Sequence, residues 1–176
     1  MRIVGGKYRG KKLKEFEGTF VRPTSDRAKE AIFNIFQFDL PGCTFYDAFC
    51  GSGSIGLEAI SRGAKKVVFT DNCKDSINLT LENLKSVNEK ASVILSDACD
   101  FLSNCKEKFD FIFLDPPYAS DSGVVVLKII SEKRLLTPEG VAIFEHKTGD
   151  NRVIDGLNLV KTKKYGIAEF DFYKLV

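Results

Sequence analysis

The chain has 176 residues and a mass of 19.6 kDa, enough for one well-buried domain with little room for a second. Apolar residues make up 44% and charged residues 28%, and no run approaches the ~20 uninterrupted apolar residues of a membrane span, which excludes a disordered or helix-spanning membrane chain. The formal net charge of +2 is bland as a total but uneven along the chain: residues 1–14 hold six basic residues and no acid, leaving 20 basic against 24 acidic residues elsewhere.

That basic arm carries Arg2, Lys7, Arg9, Lys11, Lys12 and Lys14, interleaved with Ile3, Val4, Tyr8 and Leu13. Gly5-Gly6 and Gly10 stand at possible turns, so a short β-hairpin is predicted over a solvated tail. The opening lacks the apolar stretch of roughly 7 to 15 residues that a secretory signal needs, so a cytoplasmic protein is expected. Next, Ser25 or Asp26 can cap a helix whose apolar face is Ala28, Ala31, Ile32, Ile35 and Phe36, ending before Pro41-Gly42.

From there strands and helices alternate. Strand 43–49 precedes a helix near 54–62, strand 65–71 a helix near 74–87, strand 92–96 a short helix near 98–105, and strand 109–114 a helix near 122–132, before a strand at 141–145. Such an order predicts an α/β fold with a parallel sheet covered on both faces. Segments 157–164 and 168–175 are both strand-like and joined by only Tyr165-Gly166-Ile167, which leaves no room for a crossover helix; they should pair antiparallel. The expected organisation is a single domain over 1–176, with a basic hairpin extension (1–20), a linker and helix (21–41) and a Rossmann-like core (42–176).

Five cysteines form no C-x-x-C pair, and the single histidine, His146, has no H-x-x-x-H or H-x-E companion, so no metal is expected. The chemistry lies in two other motifs. Asp47-Ala48-Phe49-Cys50-Gly51-Ser52-Gly53-Ser54-Ile55-Gly56 places a G-x-G-x-x-G on the turn from first strand to next helix, where glycines admit a nucleotide close to the backbone. Asp71 follows 20 residues after Gly51 at a strand end, placed to accept from the hydroxyls of a ribose. An extra carboxylate at Asp47 would repel a pyrophosphate but attract the sulfonium and ammonium of S-adenosylmethionine, which favours that cofactor over NAD. Asp97 suits either an adenine amine or the N-cap of the following helix.

The second motif, Asp115-Pro116-Pro117-Tyr118, ends the fourth strand. The Asp115 carboxylate and the Pro116 carbonyl can each accept one N–H of an exocyclic amine, and Tyr118 offers a ring face to a flipped base. Whether Asp115 takes the proton or only orients the amine is left open by the residues. The alternatives are an amino methyltransferase acting on adenine N6 in DNA or a glutamine amide in protein, and a non-catalytic RNA-binding assembly factor.

With these motifs in place, the chain resembles the bacterial-type 16S rRNA (guanine-N2)-methyltransferase family of class I methyltransferases. The likeness extends from Met1-Arg2-Ile3-Val4-Gly5-Gly6-Lys7-Tyr8-Arg9-Gly10 through Arg22-Pro23-Thr24-Ser25-Asp26-Arg27 and Gly56-Leu57-Glu58-Ala59 to Phe144-Glu145-His146. The resemblance implies a seven-stranded, mainly parallel sheet with a terminal antiparallel hairpin, and methylation of a guanine N2 amine in 16S rRNA within the small ribosomal subunit. It implies S-adenosyl-L-methionine held by Asp47, Phe49, Gly51, Gly53, Gly56, Asp71, Asn72, Asp97 and Ala98, and catalysis at Asp115, Pro116, Pro117 and Tyr118. Lys7, Arg9, Lys11, Lys12, Arg22, Thr24 and Arg27 would bind RNA. A monomer is the expected state.

Overall fold

The computed structural model describes residues 1–16, 25–117, 120–147 and 153–176. Helix α1 (Asp26–Ile35) starts where Ser25 Oγ accepts the Ala28 N–H at 3.2 Å, and it buries Ala28, Ile32 and Phe33 along one face. The strand and helix alternation then follows as β1 (Thr44–Asp47), α2 (Ser54–Ser61), β2 (Lys66–Asp71), α3 (Lys74–Ser86), β3 (Ser92–Leu95), α4 (Ala98–Asn104), β4 (Phe109–Leu114), α5 (Ser122–Lys133), β5 (Leu136–Lys147), β6 (Leu157–Tyr165) and β7 (Ala168–Leu175).

The seven strands form one sheet in the order β3-β2-β1-β4-β5-β7-β6. The first five are mutually parallel, and β7 pairs antiparallel with both β5 and β6. The predicted terminal hairpin is therefore present and lies at one edge. Because β2 and β3 run out one way from β1 while β4 and β5 run out the other, the crevice of the fold opens at the carboxyl ends of β1 and β4.

Two cores sandwich the sheet. One face carries Phe45, Phe69, Phe113, Ile143 and Phe172, covered by Ile32 and Phe33 of α1 and by Ile3 and Leu13 of the arm. The other carries Tyr46, Ile112, Ala142 and Phe144, covered by Leu102 of α4 and Val126, Leu127 and Ile130 of α5. Full burial of an aliphatic or Phe side chain contributes about 1.5–3 kcal/mol, so the arm's Ile3 and Leu13 bind it firmly to the body.

Local differences from expectation have simple causes. The first strand ends at Asp47 because Cys50 N–H already donates to the Thr70 carbonyl across a turn. The strand expected at 141–145 begins at Leu136, its early part disguised in sequence by Thr137-Pro138-Glu139-Gly140. The arm is drawn together by a single antiparallel bridge, Arg2 to Lys12, rather than by two strands, since turns occupy residues 5–10.

Candidate active site

Four carboxylates line up at the carboxyl ends of adjacent strands. Side chains alternate along a strand, so Asp71, Asp47, Asp115 and Glu145, each two residues beyond a core residue (Phe69, Phe45, Phe113, Ile143), all face the α1 side. Phe113 is in register with Asp47 and Ile143, which sets Asp115 and Glu145 side by side, one pleat beyond Asp47. Asp47 and Glu145 are buried. Burial pushes the Asp47 carboxyl up to about 7, against the 2.9 Å hydrogen bond its Oδ2 accepts from Gly56 N–H. Burial, and then the charges of Glu145 and Asp47, hold Asp115 well above the usual carboxylate range. Such a row is poised to take up positive charge, because a cation among these groups relieves their mutual repulsion.

The glycine-rich turn is built to sit beside that row. Gly53, with φ of 75°, provides the left-handed step into α2. A Cβ on Gly56 would stand 2.1 Å from the Phe69 ring, so only glycine lets α2 pack onto β2 there. Gly51, also left-handed, meets nothing within 4 Å at its Cβ position, leaving the backbone open to a close-lying group. Asp71 accepts Gly51 N–H and Cys73 N–H, both at 2.9 Å, and so fixes the turn to the end of β2. From α3, Thr80 donates to the Gly51 carbonyl at 3.0 Å and Asn83 to the Ser52 carbonyl at 2.9 Å, two side chains three residues apart on one helical face.

The remaining expected cofactor residues fall at the same edge. Phe49 is half-buried, Asn72 is exposed just beyond β2, and Ala98 is buried. Asp97 is the N-cap of α4, accepting Cys99 N–H at 2.8 Å through Oδ1; the capping role expected as one of its two uses is realised. At the second motif, Ser120 N–H occupies the Pro117 carbonyl at 2.9 Å, whereas the Pro116 carbonyl accepts no hydrogen bond among the described residues. Tyr118, Arg22 and Thr24 lie outside the described residues.

Part of the basic arm's charge is paired at the surface. Lys7 is held by Glu89 at 3.3 Å, Lys14 by Glu82 at 2.8 Å and Arg2 by Asp26 at 3.1 Å. Lys7, one of the expected RNA contacts, remains exposed but is paired with Glu89, which also accepts a hydrogen bond from Tyr8. Arg9, Lys11, Lys12 and Arg27 are exposed and have no acidic partner among the described residues. The arm is bolted down by a buried carboxylate that the sequence marks only within the family likeness. Glu58 accepts Val4 N–H at 2.8 Å and Arg62 at 2.8 Å, and the buried Lys29 donates to the Arg2 carbonyl at 2.7 Å while lying 4.0 Å from Glu58. Glu145 was likewise legible only as part of a resemblance. An acid closing an apolar strand was the available signal.

The lone histidine also acquires partners through the fold. His146 Nε2 lies 3.0 Å from Asp171 Oδ2, and its Nδ1 lies 2.8 Å from the Lys147 carbonyl. Thr162 and Tyr173 also donate to Asp171, making a hydrogen-bonded clasp between β5, β6 and β7.

Known proteins match this chain over almost its whole length. The family model described as "Conserved hypothetical protein 95" spans residues 1–174. Ribosomal RNA small subunit methyltransferase D of Haemophilus influenzae is 35% identical over 99% of this chain and 93% of its own length. The chain belongs to that family. The Escherichia coli protein of the same name is 31% identical over 82% of this chain and 74% of its own. Among solved structures, Escherichia coli yhhF, described provisionally as a methyltransferase, superposes with a TM-score of 0.89 at 28% identity, covering 99% of this chain and 97% of that one. A hypothetical protein of Thermus thermophilus superposes with a TM-score of 0.85 at 28% identity over 98% of each chain.

Family membership makes the chain a methyltransferase and implies a methyl donor of the S-adenosylmethionine type. The residues present fit such a group: an open glycine turn, and beside it carboxylates whose protonation is raised by burial and by one another. No helix among the described residues is long and apolar enough to cross a membrane.

Proposed function

We propose that the protein methylates the exocyclic N2 amine of a guanine in 16S rRNA, on an assembled or nearly assembled small subunit, using S-adenosyl-L-methionine. The observation that carries this is the alignment of Asp115-Pro116 with Asp47 and Glu145 across the β1/β4 crevice, in a chain whose relatives are named for small-subunit rRNA.

In this reading the cofactor supplies an electrophilic methyl on a cationic sulfur. Asp47, the Gly51–Gly56 turn and Asp71 hold it, with Phe49, Asn72, Asp97 and Ala98 bounding the adenosine side. Asp115 and the Pro116 carbonyl accept the two N–H groups of the amine and orient its nitrogen; the fixed φ of Pro116 and Pro117 holds the backbone that presents the carbonyl rigid. Tyr118 stacks on the guanine. Arg9, Lys11, Lys12 and Arg27, with Arg22 and Thr24, hold RNA phosphates and set register without reading sequence. The protein acts as a monomer in the cytoplasm.

The test is incubation with tritiated S-adenosylmethionine and, in parallel, undermethylated small subunits, free 16S rRNA, DNA and protein, followed by nucleoside and amino-acid analysis. Label in N2-methylguanosine from small subunits is expected. Label confined to N6-methyladenine or to a glutamine amide would replace the guanine reading.

A further inference from the structure

The outer edge of the sheet carries a second cluster of cations, unconnected with the arm. Strand β6 has Lys161, Lys163 and Lys164, all exposed and none with an acidic partner among the described residues. The register with β7 tells which way each points. Lys161 lies opposite Phe172, Lys163 opposite Phe170 and Tyr165 opposite Ala168. Phe170 and Phe172 belong to the α1-side core, so Lys161, Lys163 and Tyr165 share the face of the carboxylate row. Lys164, opposite Glu169, points to the other face.

Tyr165 is half-buried and sits edge-on to Phe170, its ring centroid 6.0 Å away, which fixes the ring at the top of the strand. Two ammonium groups and an aromatic ring thus follow one another along one side of an exposed strand, a combination suited to phosphates with a base stacked beyond them. The hairpin turn at Gly166 lies at the end of β6 nearest the carboxyl end of β5, since Ala168 pairs with Lys147. Three strand spacings, about 14 Å, separate β6 from β4 and Asp115.

The geometry points to the α1-side face of β6, Lys161, Lys163 and Tyr165, as a second RNA-binding surface, flanking the active site on the side away from the arm. It rests on the RNA substrate proposed above. The arm packs over α2 and α3 at the β2/β3 end of the sheet, through Ser61, Asn83 and Glu89. RNA entering the crevice at Asp115 therefore meets cations on both flanks, with the buried carboxylates between them. Lysines on an edge strand also discourage edge-to-edge association, but that role is served from either face, whereas RNA held here requires the α1-side pair.

The test compares Lys161→Gln/Lys163→Gln with Lys164→Gln and wild type, in direct binding to undermethylated small subunits across a salt series and in steady-state methylation. The double variant should bind several-fold more weakly at roughly 0.15 M salt, with a log–log salt slope lower by about 1.4. Its KM for the particle should rise while kcat and cofactor affinity hold. Lys164→Gln should bind within about twofold of wild type. Unchanged affinity and slope in the double variant would overturn the surface, as would equal losses in both variants accompanied by self-association in light scattering. Wild type that binds particles without labelling them would sink the guanine reading alone, with the salt slopes still deciding the surface. Wild type that neither binds nor labels them overturns both.

Discussion

The basic arm and the row of carboxylates both concentrate charge of one sign, but they are stabilised in opposite ways. In the arm, Arg2, Lys7 and Lys14 are neutralised by Asp26, Glu89 and Glu82, and the cations left over stand in solvent. In the row, Asp47, Asp115 and Glu145 face one another under cover, and two of their carboxyls are held above the ordinary range. Exposed charge is easily kept and weak per contact. Buried like charge is costly to keep, and for that reason responds strongly to an incoming cation. The arm is thus fitted to many weak phosphate contacts and the row to one cationic ligand.

The sharpest way to break that contrast is Asp115→Ala. Turnover should fall by roughly 10²–10³-fold or more while cofactor affinity stays within a few fold, by single-turnover kinetics and calorimetry. Unaltered turnover would remove Asp115 from the reaction. Next, Glu58→Ala strands the buried Lys29, whose ammonium burial already disfavours and Glu58 supports. It should cost about 3–5 kcal/mol in urea unfolding. A loss under ~1 kcal/mol would mean that the arm is held by its apolar residues alone.

Asp47→Asn keeps an acceptor for Gly56 but deletes the charge. The folded carboxyl titrates near 7, above its unfolded value, so its contribution favours the fold at low pH and is lost as pH rises through 7. The variant should therefore be more stable than wild type above pH 7 without cofactor, by at most about 4 kcal/mol, and like wild type near pH 4. It should bind S-adenosylmethionine more weakly. Equal stability of the two proteins at both pH values would show that Asp47 is not strained by its burial.

The smallest effects belong to the arm. Arg9→Ala/Lys11→Ala/Lys12→Ala should weaken RNA binding about tenfold and lower the salt slope by about 2, with cofactor affinity unchanged. Lys7→Ala should change RNA affinity by less than about twofold, because Glu89 already occupies that ammonium. A larger loss at Lys7 than at the other three would reverse the assignment within the arm.

Much of this was legible in the sequence because its signals are local. The Gly51–Gly56 turn, the Asp115-Pro116-Pro117 strand end and the period-2 runs identify themselves within ten residues or so, and the parallel sheet follows from the alternation they punctuate. Pairings across the chain had no such mark. Lys7 meets Glu89, Lys29 meets Glu58 and Asp115 meets Glu145 only after the sheet has assembled, so nothing local in the sequence announces these pairings. Asp97 could be read both ways because a capping carboxylate retains a second oxygen.

Asn83 has the last word on how the two charged regions communicate. Its amide nitrogen donates to the Ser52 carbonyl in the glycine turn and to the Lys14 carbonyl in the arm, and its oxygen accepts Lys14 N–H at 2.8 Å. One side chain is thus shared by the glycine turn and the root of the basic arm. Any ligand that settles either end lowers the entropy left to lose at the other, and thermodynamic linkage makes that help mutual and equal in size. Cofactor and RNA should accordingly load with positive cooperativity, each tightening the other's dissociation constant by one common factor, and Asn83→Ala should bring that factor to one.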